Sequence, residues 1–303
     1  MIRPRRIALG LIALAALGAA GALALTAPDR HARDGQPPDG DAQAGERVFL
    51  VGGCASCHAA EDAEGDNRLM LSGGQVLASD FGSFTVPNIS PHRQAGIGAW
   101  SYYQFADAMR YGTSPEGRHY YPAFPYTSYA RMTDQDLADL FAHIRTLPES
   151  AQTNSGHALK FPYNIRAALG LWKALNLDPS PVLPGSGDPQ VARGQYLVEG
   201  PGHCGECHTP RGPLGGQRLD AWLSGAPNPE GKGTIPNITP HEDALGGWST
   251  ADIAYYLETG FDPEFDSAGG SMVEVIENLA RLPASDREAI AAYLKTVPPI
   301  APE

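Results

Sequence analysis

Four cysteines stand in two pairs, and a histidine follows each pair directly: Cys54-Ala55-Ser56-Cys57-His58 and Cys204-Gly205-Glu206-Cys207-His208. Sulfurs three residues apart lie about one helical turn from each other. Both can therefore meet one edge of a porphyrin and form thioethers with its two vinyl groups, and the next imidazole can sit on the iron. That spacing is the attachment signature of c-type haem. Rival chemistries fit less well. A redox dithiol has no use for the histidine in both copies. A four-cysteine zinc site separates its pairs by roughly 15–20 residues, whereas 146 residues lie between these. Cys54, Cys57 and His58 are thus assigned to a first haem and Cys204, Cys207 and His208 to a second, the histidines being the proximal iron ligands.

The sixth position on the iron decides what such a haem does. Methionine there raises the potential and suits electron transfer, while an open position permits catalysis. The ligand is expected from the loop ahead of the last helix of each haem-wrapping unit. Met272, after Gly269-Gly270-Ser271, is assigned for the second haem. Subtracting the repeat length lands on Pro122, inside Tyr121-Pro122-Ala123-Phe124-Pro125, which holds no methionine. Met132 and His119 are the two candidates for haem one, with Met109, His92 or an open iron behind them. Of the other histidines, His143 reads as facing outward on a helix, His203 as structural, His241 as a loop residue, and His31 and His157 as parts of tethers.

These residues lie within an internal repeat. The cysteine motif recurs at a shift of 150 positions. Val86-Pro87-Asn88-Ile89-Ser90-Pro91-His92 returns as Ile235-Pro236-Asn237-Ile238-Thr239-Pro240-His241 at a shift of 149, and Trp100-Ser101 as Trp248-Ser249 at 148. The paired Pro-Asn-Ile segments and tryptophans are expected beside haem edges or propionates. Helices are expected over 45–52 and 194–200 leading into the motifs, over 101–111 and 249–259 from serine caps to Gly112 and Gly260, and over the closing segments after Thr133 and Ser285. No alternating run suggests a sheet. The repeat divides the chain into units at 44–148 and 191–303, with a linker at 149–190 that carries a short helix over 164–176.

The first 27 residues differ from the rest. Arg3, Arg5 and Arg6 precede 21 residues without a charge, from 7 to 27. This is an export signal. At 1.5 Å per residue it reaches about 31 Å as a helix, enough to anchor in a bilayer, while Ala22 and Ala24 offer a cleavage site. Residues 28–43 read as a solvated tether. The remainder is expected outside the cytoplasm, in the periplasm, free or tethered to the inner membrane.

Composition agrees. The 303 residues include 35 glycines and 27 prolines, about a fifth of the chain against roughly 12% on average. With 42% hydrophobic residues the chain is too apolar for disorder, so the loops must wrap something, and the haem serves as core. A net charge of −12 argues against nucleic acid and suits a partner with a basic patch.

The segment from Gly200 through the second motif to Arg211, the two Pro-Asn-Ile-Ser/Thr-Pro segments, Tyr121-Pro122-Ala123-Phe124-Pro125-Tyr126 and Phe161-Pro162-Tyr163-Asn164-Ile165-Arg166 resemble the multihaem cytochrome c subunits of periplasmic and membrane-bound dehydrogenases. The likeness runs from about 45 to 298. It implies an all-α fold of two tandem class I cytochrome c domains, each wrapped around one covalent haem c. It also implies an alcohol, gluconate or aldehyde dehydrogenase subunit as electron donor and a downstream cytochrome or oxidase as acceptor. Two departures stand out. Many relatives carry three haem motifs where this chain has two, and several carry methionine where this one has Phe124. The resulting expectation is an electron carrier, not an enzyme. The rival is a dihaem enzyme of the peroxidase or thiosulfate dehydrogenase type, with haem one catalytic.

Overall fold

The computed structural model describes residues 4–28, 36–228 and 233–301. After a first helix α1 (Pro4–Leu25), the first half contains α2 (Ala42–Val51), α3 (Cys54–His58), the hairpin β1 (Val76–Ser79) and β2 (Gly82–Thr85), then α4 (Tyr102–Tyr111), α5 (Tyr126–Tyr129) and α6 (Asp134–Ile144). A connecting stretch holds β3 (Ala158–Leu159) and α7 (Leu169–Asn176). The second half repeats the order with α8 (Pro189–Glu199), α9 (Gly205–His208), β4 (Ala226–Pro227), β5 (Thr234–Ile235), α10 (Thr250–Thr259), α11 (Met272–Leu279) and α12 (Ala284–Leu294).

Local chemistry sets these boundaries. Ser101 and Ser249 close capping boxes with Gln104 and Asp252, satisfying donors that a helix start leaves orphaned. At the other end Gly112 and Gly260 take left-handed φ values of 54° and 78°, which glycine adopts without the penalty a Cβ brings. Thr133 caps α6 by accepting from the Asp136 amide at 3.1 Å. The closing helix of the second half starts one residue earlier than expected, at Ala284 behind Pro283, with no side-chain cap.

Each half is held by its first and last long helices crossing at a glycine. A Cβ on Gly45 of α2 would collide with the Asp139 carbonyl of α6, and one on Gly194 of α8 with the Ala289 carbonyl of α12. That close approach lets Leu137, Leu140 and Ile144 of α6 pack with Val48 and Phe49 of α2, while Phe105 of α4 stacks on Phe141 at 5.0 Å. The second core gathers Leu197 and Val198 of α8 with Ile290, Ala291, Tyr293 and Leu294 of α12. Full burial of such a side chain contributes roughly 1.5–3 kcal/mol.

Several expectations need correction. The fold is mostly helical but not all-α. β1 pairs antiparallel with β2, from Val76–Thr85 to Ser79–Gly82, β3 joins the other edge of β2, and β4 pairs with β5. Strands of two to four residues are too short to show an alternating pattern, and β3 lies more than seventy positions from its partner. The end of the tether is docked, not solvated: the Asp41 amide donates to Asp139 Oδ1 at 2.7 Å and Gln135 Nε2 to the Asp39 carbonyl at 2.8 Å. The linker is fastened at both ends, through Asn88 to the Ser150 and Gln152 carbonyls and through Glu199, which accepts from the Val182 and Leu183 amides. His157 is part of that packing, accepting from the Thr85 amide at 3.2 Å between the rings of Phe84 and Tyr121. His143 turns inward to the Ala42 carbonyl and the Phe49 ring. His31 lies outside the described residues.

Among the described residues no helix is long and apolar enough to cross a membrane. The end of α1 rests on the body, with the Thr26 carbonyl 3.0 Å from His119 Nε2 and packed over Gly170.

Candidate functional site

The first motif opens after Gly53, whose φ of 55° turns the chain out of α2 and into α3. Cys54 and Cys57 then lie one turn apart on α3, with His58 as its last residue. The His58 Nδ1 lies 2.8 Å from the Pro87 carbonyl. A carbonyl only accepts, so Nδ1 carries the proton and Nε2 keeps its lone pair for a metal. Burial pushes the His58 pKa down to about 4, so the ring is neutral at pH 7. Pro87 is itself fixed, because neighbouring Asn88 donates from Nδ2 to the Ser150 and Gln152 carbonyls at 2.8 and 2.9 Å.

The second motif repeats the arrangement, with His203 at a φ of 40° in place of Gly53 and Cys204 as the N-cap of α9. His208 Nδ1 lies 2.8 Å from the Pro236 carbonyl, burial lowers its pKa, and Asn237 Nδ2 donates to the Ile300 carbonyl at 2.7 Å. Gly73 and Gly225 donate their amides to the carbonyls of His58 and His208. The Pro-Asn-Ile segments, expected beside haem edges, thus orient the motif histidines His58 and His208. The signal for this role was the shared spacing of proline and motif in both copies, but a backbone carbonyl leaves no residue-type trace.

Among the described residues no disulfide joins the cysteines. Burial raises the thiols of Cys54 and Cys204 to about 12, the reverse of the depression a reactive redox dithiol shows. Paired thiols one turn apart, beside a neutral imidazole with its Nε2 lone pair presented, fit a porphyrin bound by two thioethers and one axial nitrogen. The fit holds at both motifs.

The two motifs touch. His203, which precedes Cys204, places Nε2 3.2 Å from the carbonyl of Gly52, which precedes Gly53 and Cys54, and its ring meets Tyr129 edge-on at 5.7 Å. Asn278 of α11 donates to Ser56 Oγ within the first motif at 3.2 Å. Thr127 and Ser128 at α5 donate to Glu206 Oε1 within the second at 2.9 and 3.1 Å. Ion pairs Arg68–Glu274 and Arg281–Glu46 join the same faces at 2.9 and 3.1 Å. His203, expected to be structural, thus ties the second motif to the first, a contact that only the fold reveals.

Met272 opens α11 and packs, half-buried, on the core that also carries Cys204. Met132 is buried in the first core and its carbonyl accepts from Arg110 Nη2. Met109 is buried on α4. His119 is buried with Nε2 on the Thr26 carbonyl, and His92 accepts the Ala95 amide at Nδ1, closing its own loop. His241 accepts the Asp243 amide in the matching way.

Two neutral, carbonyl-anchored histidines, each behind a pair of thiols one turn apart, define a covalent haem c protein. Comparison with known proteins agrees. The Cytochrome c family model matches residues 42–148. A dihaem c-type cytochrome of Cereibacter sphaeroides is 58% identical over 261 residues, covering 86% of this chain and 87% of that one. The fructose dehydrogenase cytochrome subunit of Gluconobacter japonicus is 38% identical, over 84% of this chain and 52% of that subunit. The gluconate 2-dehydrogenase cytochrome c subunit of Pantoea cypripedii is 34% identical, over 87% and 61%. The chain thus spans 52–61% of the length of these two dehydrogenase subunits. The chain belongs to the cytochrome c family, alongside dihaem c-type cytochromes and the cytochrome subunits of dehydrogenases.

Proposed function

We propose that the protein is an exported carrier of two covalent haems c that passes single electrons from a partner dehydrogenase to a downstream cytochrome or oxidase. Cys54 and Cys57 hold the first haem and Cys204 and Cys207 the second, in tandem domains at 44–148 and 191–303. His58 and His208 are the proximal ligands, and Met272 is the distal ligand of the second haem. When bound, each haem supplies an iron that alternates between ferrous and ferric states.

The observation that carries this reading is the hydrogen bond from His203 to Gly52. It places the entrances of the two motifs against each other, so Cys54 and Cys57 would hold one haem, and Cys204 and Cys207 the other, on either side of a common boundary. The chain's own residues then fix geometry: Pro87 and Pro236 orient the imidazoles, and Asn278 and Glu206 lock each half onto the other's motif. The apolar cores around Cys54 and Cys204 exclude water, which limits the reorganisation that accompanies a change of charge. The relatives named as dehydrogenase cytochrome subunits support a dehydrogenase as donor and favour a carrier over a peroxidase or thiosulfate dehydrogenase. The leader directs export to the periplasm, where covalent haem attachment occurs.

Holoprotein matured in a periplasm and mixed with a fructose, alcohol or gluconate dehydrogenase of the kinds its relatives are named for tests this. Both haems are expected to be reduced when that enzyme's substrate is added. Absence of reduction, with the dehydrogenase active toward an artificial acceptor, would remove the carrier assignment.

A further inference from the structure

We propose that the first haem receives no sixth ligand from this chain, and that Phe124 makes its distal side a binding site for a small neutral diatomic molecule such as carbon monoxide or nitric oxide. The inference rests on the reading that both motifs carry haem.

Register between the halves carries the argument. Beyond the left-handed glycines Gly112 and Gly260, the Tyr120 amide donates to the Gly112 carbonyl at 2.6 Å and the Ala268 amide to the Gly260 carbonyl at 2.8 Å. The isolated bridges Thr113–His119 and Phe261–Ser267 repeat at the same place. Tyr120 and Ala268 are therefore equivalent. The fourth residue onward is Phe124 in one half and Met272 in the other. Their surroundings match as well: Phe124 packs on the core that Cys54 touches, Met272 on the core that Cys204 touches. A count from the last helix lands on Pro122 only because the second half has two more residues between these points and Tyr126 or Ile276.

The other candidates are accounted for, His92 by its match to His241, each accepting at Nδ1 an amide two residues on in its own loop. Counted from Ser101 and Ser249, Met109 matches Leu257. Counted from Ala130 and Ala280, Met132 matches Leu282. All four are buried, and the carbonyls of Met132 and Leu282 each accept from an arginine, Arg110 of α4 and Arg287 of α12. Both methionines do the work of leucine. His119 corresponds to Ser267 and has its Nε2 on Thr26. Met70 is exposed on the loop that Gly73 ties to the His58 carbonyl, the proximal side.

What replaces the thioether is a ring, held edge-on by Tyr129 at 5.7 Å and Tyr120 at 6.0 Å. Phe124 brings neither a lone pair for iron nor a donor for a bound anion. An apolar distal wall of this kind favours neutral ligands that accept electron density from ferrous iron.

Ferrous holoprotein titrated with carbon monoxide is expected to bind about one molecule per chain while the pyridine haemochrome reports two haems. Phe124→Met is expected to abolish that uptake and add a second sulfur-to-iron charge-transfer band in the oxidised spectrum. Met272→Leu is expected to remove the first band and double the uptake. Two haems with no carbon monoxide bound by the wild-type chain would overturn the proposal. So would increased uptake in Met132→Leu or His119→Gln, because the replaced residue would then have been a ligand. A haemochrome of one haem or none strikes instead at the two-haem reading, so the two failures are distinguishable.

Discussion

Ser128 on α5 donates to Glu206 Oε1 at 3.1 Å, which ties a helix of the first half to the haem motif of the second. Asn278, at the equivalent place on α11, donates to Ser56 in the first motif. The two halves grip each other's motif with the same element, turned about an approximate two-fold axis.

Glu206 carries the heavier of these two contacts. It accepts from Thr127, Ser128 and Arg211 and is nearly buried. Hydrogen bonds to a charged group contribute roughly 1.5–3 kcal/mol in mutational series. Glu206→Ala is expected to lower the melting temperature of the holoprotein by several degrees. It should also slow electron exchange between the haems, read by flash photolysis of a half-reduced sample. Unchanged values on both counts would show the contact to be incidental.

Gly45 and Gly194 set the helix crossings. Alanine at either position must push the facing carbonyl aside, and forcing a methyl into a packed interior typically costs about 1–3 kcal/mol. Denaturant unfolding of Gly194→Ala should show a lower midpoint with an unaltered slope, whereas a wild-type midpoint would mean that the crossing yields freely.

Asn88 holds the segment on which His58 leans. Asn88→Ala removes both donors to the Ser150 and Gln152 carbonyls, at a cost of about 1–3 kcal/mol for a group left buried and unpaired. It also loosens Pro87. The expected signature is a change confined to the first haem: a broadened ferric electron paramagnetic resonance signal for one iron. Changes shared equally by both haems would contradict this local role.

His157 gives the fold a pH dependence. Burial, and then the neighbouring Arg166 guanidinium, lower its pKa, so the unfolded chain takes up a proton at higher pH than the folded one. Stability from this group is complete above the ordinary histidine pKa of about 6.5. It declines as pH falls through that value toward the lower folded pKa. His157→Gln should flatten the stability profile between about pH 7 and pH 5 relative to wild type, and parallel profiles would place the sensitivity elsewhere.

The chemistry was the most legible part of the chain. Cys54, Cys57 and His58 announce themselves by spacing within five residues, and Ser101, Thr133 and Ser249 announce helices because a cap is a local bond. What escaped depends on distant partners. β3 takes its pairing from Gly82 and Ser83, the inward turn of His143 depends on Ala42, and His203 meets Gly52 across the repeat. The carbonyls of Pro87 and Pro236 that hold His58 and His208 were hidden differently, since every residue has such a group and only the fold selects which one is used. Phe124 was noticed as a departure, but its equivalence to Met272 required the hydrogen bonds at Gly112 and Gly260 to fix where counting should begin.

The reciprocal grip of α5 and α11 is the pattern an isologous dimer would have, here drawn into a single polypeptide. In a true dimer every substitution appears twice, so both copies must tolerate it. Fusion lifts that constraint. Each twin can then diverge alone, as the two halves already do where one carries Met272 and the other Phe124.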